Sequence, residues 1–184
     1  MVFKDAGKQH TERTLEIARA TALERGIKYV VVATTGGETG AAAARLFAGT
    51  GVKVVCVTHN AGFKEPGVLE LKPECREEIE RHGGTVCTGT IITRGVGTAI
   101  RNKFEGFSVE QVVASTLRMF GQGAKVCVEI AAMASDAGLV PAEDVIAVAG
   151  TGLGADTCAV VSARSSNFFF DIKVREFLAK PGDW

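Results

Sequence analysis

The chain has 184 residues, 46% hydrophobic and 23% charged, which fits one compact globular domain that forms its core without disulfides or structural metals. Lys plus Arg and Asp plus Glu both number 21, and the charges alternate along helices, so neither a basic nucleic-acid footprint nor an acidic tail is present. The apolar run 126–134 is broken by Glu129 and is far shorter than the roughly 20 residues of a membrane span. The N-terminal decapeptide MVFKDAGKQH has no apolar signal core, so a cytoplasmic protein with no membrane or nucleic-acid partner is expected.

In chain order, Leu15, Ala18 and Ala22 share one face of a helix over Thr11–Arg25, with Thr11 as its cap and Gly26 as its stop. Residues 28–33 (KYVVVA) form a β-branched run too short for a helix. They lead through a Gly-rich turn into an Ala-rich helix ending near Ala48. The unit repeats as a strand over 52–58, a loop over 59–67, a helix over 73–82 with Pro73 near its start, and a strand over 85–90. An irregular stretch is expected over 91–107. A helical region capped by Ser108 follows, interrupted near Gly121 and Gly123 and ending at Gly138. A fourth strand over 144–149 and a fifth over 157–163 follow. In the tail, Ile172 and Val174 alternate like a strand, whereas Val174, Phe177 and Leu178 also fit a helix, and the run Phe168, Phe169 and Phe170 is expected to cover core surface. Apolar strands separated by helices give an α/β class: a three-layer α/β/α sandwich, one domain over 1–184, around a mostly parallel sheet.

Cys56, Cys75, Cys87, Cys127 and Cys158 are odd in number, lack C-x-x-C spacing and mostly sit in apolar runs. Inert thiols are expected, with Cys75 the most exposed, and no metal site.

Thr34, Thr35, Gly36, Gly37, Glu38, Thr39 and Gly40 form the leading site candidate. Glycines let backbone approach a ligand, threonines supply hydroxyls, and the following helix start offers unpaired N–H groups to a phosphate. Glu38 is discordant, because a carboxylate repels a phosphate unless it is turned away. The second candidate is Gly150, Thr151, Gly152, Gly154 and Asp156 after the fourth strand. Asp156 either accepts a bond from a ligand hydroxyl or caps a short turn. His59, Phe63 and Lys64 combine an imidazole, a ring and an ammonium suited to a planar anionic ligand. Arg94 and Arg101 are candidate phosphate partners or solvated surface charges. Glu129, a carboxylate among apolar neighbours, needs a partner such as Arg118. The catalytic residues remain open, with His59 and Glu129 as candidates.

The segment VVATTGGETGAAAARLFAGTGVKVVCVTHN, with Gly62-Phe63-Lys64-Glu65-Pro66-Gly67, Thr116-Leu117-Arg118-Met119-Phe120-Gly121, Val126-Cys127-Val128-Glu129-Ile130-Ala131 and Gly150-Thr151-Gly152, resembles the C-terminal α/β domain of pyruvate kinase and stand-alone proteins built on it. The resemblance implies a five-stranded sheet of order 3-2-1-4-5 with the last strand antiparallel, so that both Gly-rich loops flank one crevice. It also implies flavin mononucleotide (FMN) as the cofactor and a sugar-phosphate effector on the loop resembling 34–40. It does not imply pyruvate kinase activity, whose chemistry belongs to a separate (β/α)8 barrel of about 250 residues. Three functions stay open: an FMN protein that is a flavin-dependent oxidoreductase, a sugar-phosphate sensor without catalysis, and a hydrolase or lyase acting on a phosphorylated metabolite. A homo-oligomer is compatible with all three.

Overall fold

The computed structural model describes residues 1–184. The strands are β1 (Val2–Phe3), β2 (Tyr29–Ala33), β3 (Lys53–Thr58), β4 (Thr85–Thr88), β5 (Asp144–Ala149), β6 (Thr157–Ser162) and β7 (Lys173–Pro181). The helices are α1 (Thr11–Arg25), α2 (Glu38–Phe47), α3 (Pro73–Arg81), α4 (Gly95–Phe104), α5 (Val109–Arg118) and α6 (Gln122–Asp136), with short 3-10 turns at Lys8–His10 and Ser166–Asp171.

The sheet runs β1-β7-β6-β5-β2-β3-β4. Five consecutive strands of it, β4-β3-β2-β5-β6, are the expected 3-2-1-4-5 order. β2 lies parallel to both β3 and β5, and β6 is antiparallel to β5. The count of five is corrected to seven: the ambiguous tail is strand β7, antiparallel to β6, and the N-terminal residues add β1 parallel to β7. A chain alternating period-2 and period-3.6 cues is resolved here by a ladder partner, since β6 would otherwise leave an open edge.

Alternate residues of each strand enter opposite cores. Val30, Val32, Val54, Cys56, Ile146 and Val148 pack with α1, α2 and α3, whereas Val31, Val55, Val57, Val145 and Ala147 pack with α6. These strand positions are all buried, the pattern of a sheet covered on both faces. The far layer is built on α6, against which α5 rests. Ser108 caps α5 as expected, its hydroxyl accepting from the Gln111 N–H at 3.3 Å.

Several expectations are corrected. Thr11 is not the cap of α1: His10 holds that position, and the Thr11 hydroxyl instead donates to the Lys8 carbonyl and accepts from the Ala155 N–H. The irregular stretch contains α4, whose weak helix formers Gly95, Gly97 and Thr98 hid it. Phe168 and Phe170 are exposed and do not cover the core. All five thiols are free and buried, Cys75 included, although at 8% it is the least covered of them. No helix is long and apolar enough to cross a membrane.

Candidate functional site

A cleft of about 310 Å³ opens at the C-terminal ends of β2, β3 and β5. The pairing of β2 with β5 puts the loops after them side by side, the usual place for a ligand in an open α/β sheet. Thr34, Thr35, Gly36, Glu38 and Thr39 line one side, Gly150, Gly152 and Gly154 the next, and His59, Phe63 and Arg94 a third. Lys125 and Glu129 close the side formed by α6, beside Arg118. Both Gly-rich loops therefore face one crevice, as expected.

The 34–40 loop is held by its own chemistry. The Thr34 N–H donates to the Val57 carbonyl at 2.8 Å, and the Thr34 hydroxyl accepts from the Gly40 N–H at 3.2 Å, tying strand end to helix start. The Gly36 carbonyl accepts from the Lys72 N–H, which fixes the turn against the start of α3. The N–H groups of Thr35, Gly36 and Thr39 make no hydrogen bond within the chain. With the positive end of α2 behind them, they form an anion-seeking concavity. Glu38 stays at this loop: it lines the cleft, and its carboxylate accepts from the Lys72 ammonium at 2.6 Å. That bond, followed by one from its own backbone N–H, holds its pKa below the ordinary carboxylate range, so a bound phosphate would have to displace it from the helix start. Gly37 and Gly40 do not line the cleft. Gly37, at φ 109°, turns its α-carbon toward Leu71 and Cys75, and Gly40 packs toward Cys56 and Ile79.

In the second loop the expected roles are divided. Gly150 lies so close to the backbone of Gly154 and Ala155 that no side chain fits there. Asp156 is fully buried and acts as the turn's cap, not as a ligand group. It accepts from the Gly7 N–H at 3.0 Å and the Thr151 N–H at 3.1 Å, and from the Thr157 hydroxyl at 2.8 Å. Thr151 is used by this cap and does not line the cleft.

His59 Nδ1 lies 2.7 Å from Oε2 of Glu70, so this carboxylate orients the imidazole. The imidazole stacks on Phe63 with ring centroids 3.8 Å apart. The Arg94 guanidinium carbon sits 4.4 Å from the Phe63 ring centroid. Phe63 is thus already engaged by an imidazole and a cation, and is no bare platform for a planar ligand. Lys64 pairs with Glu70 at 2.5 Å, is largely exposed and lies outside the cleft lining. The bond from its ammonium, and then the bond with the His59 imidazole, hold the Glu70 carboxyl below the ordinary range. Arg101 contacts Asn102 and is likewise away from the cleft.

The partner of Glu129 is Lys125 rather than Arg118. Lys125 Nζ lies 2.6 Å from Glu129 Oε2, and the Thr93 hydroxyl donates to Oε1. All three side chains are buried. Burial pushes the Lys125 ammonium below its ordinary pKa, against the opposing pull of Glu129, and the charges of Arg118 and Arg94 add to the lowering. Arg118 donates to Gln122 at 2.7 Å and meets no carboxylate. Sequence reasoning missed Lys125, Thr93 and Glu70. Lys125 was accessible as a charged residue one helical turn before Glu129 in the same apolar run, whereas nothing local marks Glu70.

An FMN phosphate would be held by the unpaired N–H groups of Thr35, Gly36 and Thr39 together with Arg94 and Arg118, two guanidiniums free of carboxylates that line the same cleft. When bound, FMN would supply hydride and single-electron chemistry. The chain's own contribution is to bind and orient.

The model of the pyruvate kinase alpha/beta domain family matches residues 12–161. Among solved structures, a pyruvate kinase from Cryptosporidium parvum is 15% identical, with a TM-score of 0.42 over 84% of this chain and 23% of its own. An O-ureido-L-serine synthase is 17% identical, with a TM-score of 0.33 over 74% of this chain and 50% of its own. The chain therefore spans about a quarter of that kinase's length. The family match includes both Gly-rich loops that face the cleft and most of the sheet, and on it the chain belongs to the pyruvate kinase alpha/beta domain family.

Proposed function

We propose that this protein binds a phosphorylated small molecule, FMN foremost, in the cleft at the C-terminal ends of β2 and β5. One observation carries the reading: unpaired N–H groups at Thr35, Gly36 and Thr39, backed by the start of α2, share a cleft with Arg94 and Arg118. A dianion fits that field without a dedicated lysine. The remainder of the ligand extends toward His59, whose imidazole is held by Glu70 and lines the same cleft. A flavin-dependent redox activity is the enzyme class that such a cofactor would bring.

The second reading is a sugar-phosphate sensor without turnover, favoured by the same concavity and by the effector role implied by the family resemblance. Mass spectrometry and visible absorbance of protein purified under non-denaturing conditions separate the two. FMN released on denaturation supports the first, a colourless sugar phosphate the second, and protein free of any phosphorylated compound that also fails to take up either one contradicts both.

A further inference from the structure

We propose that Lys125 is an imine-forming amine, and that the cleft accepts a phosphorylated aldehyde or ketone whose carbonyl is attacked by Lys125 Nζ. The proposal rests on the phosphate site argued above but not on the flavin.

A buried Lys–Glu pair is a poor stabiliser, because desolvating both charges costs about as much as their attraction returns. Helix α6 has no structural need for one. Its other residues Cys127, Val128, Ile130, Ala131 and Ala134 are buried and apolar, and apolar residues at both positions would pack as well. The pair instead lines the same cleft as the anion-seeking loop. Two carboxylate contacts are divided between two partners: Glu129 Oε2 faces the Lys125 ammonium at 2.6 Å, and Oε1 receives the Thr93 hydroxyl. This leaves Glu129 placed to take a proton from Lys125 and hand it on. Burial among the charges of Arg94 and Arg118 weakens the hold of Lys125 on its proton, the usual route to a nucleophilic lysine.

The step balances without an oxidant or a metal. Lys125 passes one ammonium proton to Glu129, and the free amine attacks the carbonyl carbon: a C–N bond forms, the C=O π bond breaks, and a second amine proton moves to that oxygen to give C–OH. Glu129 gives its proton to this hydroxyl, the C–O bond breaks as water leaves with the original carbonyl oxygen, and the nitrogen lone pair forms the C=N bond of the protonated imine.

The test incubates the full chain with glyceraldehyde phosphate, or with glyceraldehyde, in the presence of cyanoborohydride, and locates the reduced adduct by peptide mass spectrometry. On the wild-type protein the adduct is expected on Lys125, favoured by roughly a hundredfold or more for the phosphorylated aldehyde. Glu129→Gln, which keeps the shape of the site, is expected to slow labelling by about a hundredfold. Adducts confined to the exposed Lys64 and Lys72 with Lys125 unmodified, while FMN still binds through its phosphate, would overturn the imine alone. Equal labelling of Lys125 by both aldehydes would instead remove the phosphate site, and with it the proposed substrate class. Because the site of labelling is read on the wild-type chain, the result does not depend on any variant folding.

Discussion

Lys125 and Glu129 stand one helical turn apart on α6, buried, with Nζ 2.6 Å from Oε2. Removing one partner strands a charge in an apolar layer. Lys125→Met alone is expected to lower unfolding stability by about 3–5 kcal/mol, whereas Lys125→Met with Glu129→Leu is expected to recover most of that loss. Urea unfolding of the three proteins checks this. A double variant as unstable as the single would show that the pair, and not the orphaned carboxylate, governs stability.

The two adjacent glycines of the first loop are expected to fail in different ways. At Gly37 a β-carbon would enter the space of Cys75 and come within 2.8 Å of Leu71, at a φ of 109° that other residues rarely adopt. Gly37→Ala should therefore cost roughly 1–3 kcal/mol of stability and disturb the loop with it. At Gly36 the added methyl meets only the flexible Glu38 carboxylate, 2.6 Å away. Gly36→Ala should keep stability within about 0.5 kcal/mol while weakening phosphate-ligand binding. Thermal melts and ligand titration of both variants separate the outcomes; equal loss of stability would contradict the assignment of faces.

Glu70 links the His59 loop to acid stability. Its carboxyl is held below its ordinary 4.5, by Lys64 first and by His59 as well. A lowered carboxylate pKa contributes stability that is complete above 4.5 and fades as the pH falls through the folded value. The advantage of wild type over Glu70→Gln is expected to follow that course and to stay under about 1 kcal/mol, since Lys64 is mostly exposed. A difference that persisted unchanged into strong acid would contradict it.

The thiols are expected to be inert in the native state. Burial pushes the Cys56 thiol up to about 12 and raises Cys87, Cys127 and Cys158 as well. A thiol reagent at mildly alkaline pH should modify at most Cys75 before unfolding and all five afterwards. Rapid native labelling of Cys127 would show that α6 opens from the sheet.

Much of the fold is legible in the sequence because its signals are local. Continuous apolar runs such as 30–32 and 145–148, each bounded by helix or turn cues, have no other stable placement than a doubly covered sheet. What stayed hidden depends on partners distant in sequence. The tail becomes strand β7 only because β6 presents an edge, and β1 only because β7 then does. The site follows the same rule. The phosphate-type loop was visible from Gly36, Gly37 and the helix after them, whereas the inward turn of Asp156 depends on Gly7, 149 residues away. Lys64 looked like a ligand cation, yet Glu70 holds it outside the cleft. Lys125 was passed over because a lysine in a helix normally reaches solvent, and its burial beside Glu129 is set by α6 lying against the sheet.

The central proposal is that a phosphate is bound by the free N–H groups of the loop after β2. Calorimetric titration of the ligand-free protein with FMN and with riboflavin tests it most directly, since the two differ only in that phosphate. FMN binding tighter than riboflavin by roughly a hundredfold, with the difference lost in Gly36→Ala, is the expected result. Equal affinity for the two would contradict it.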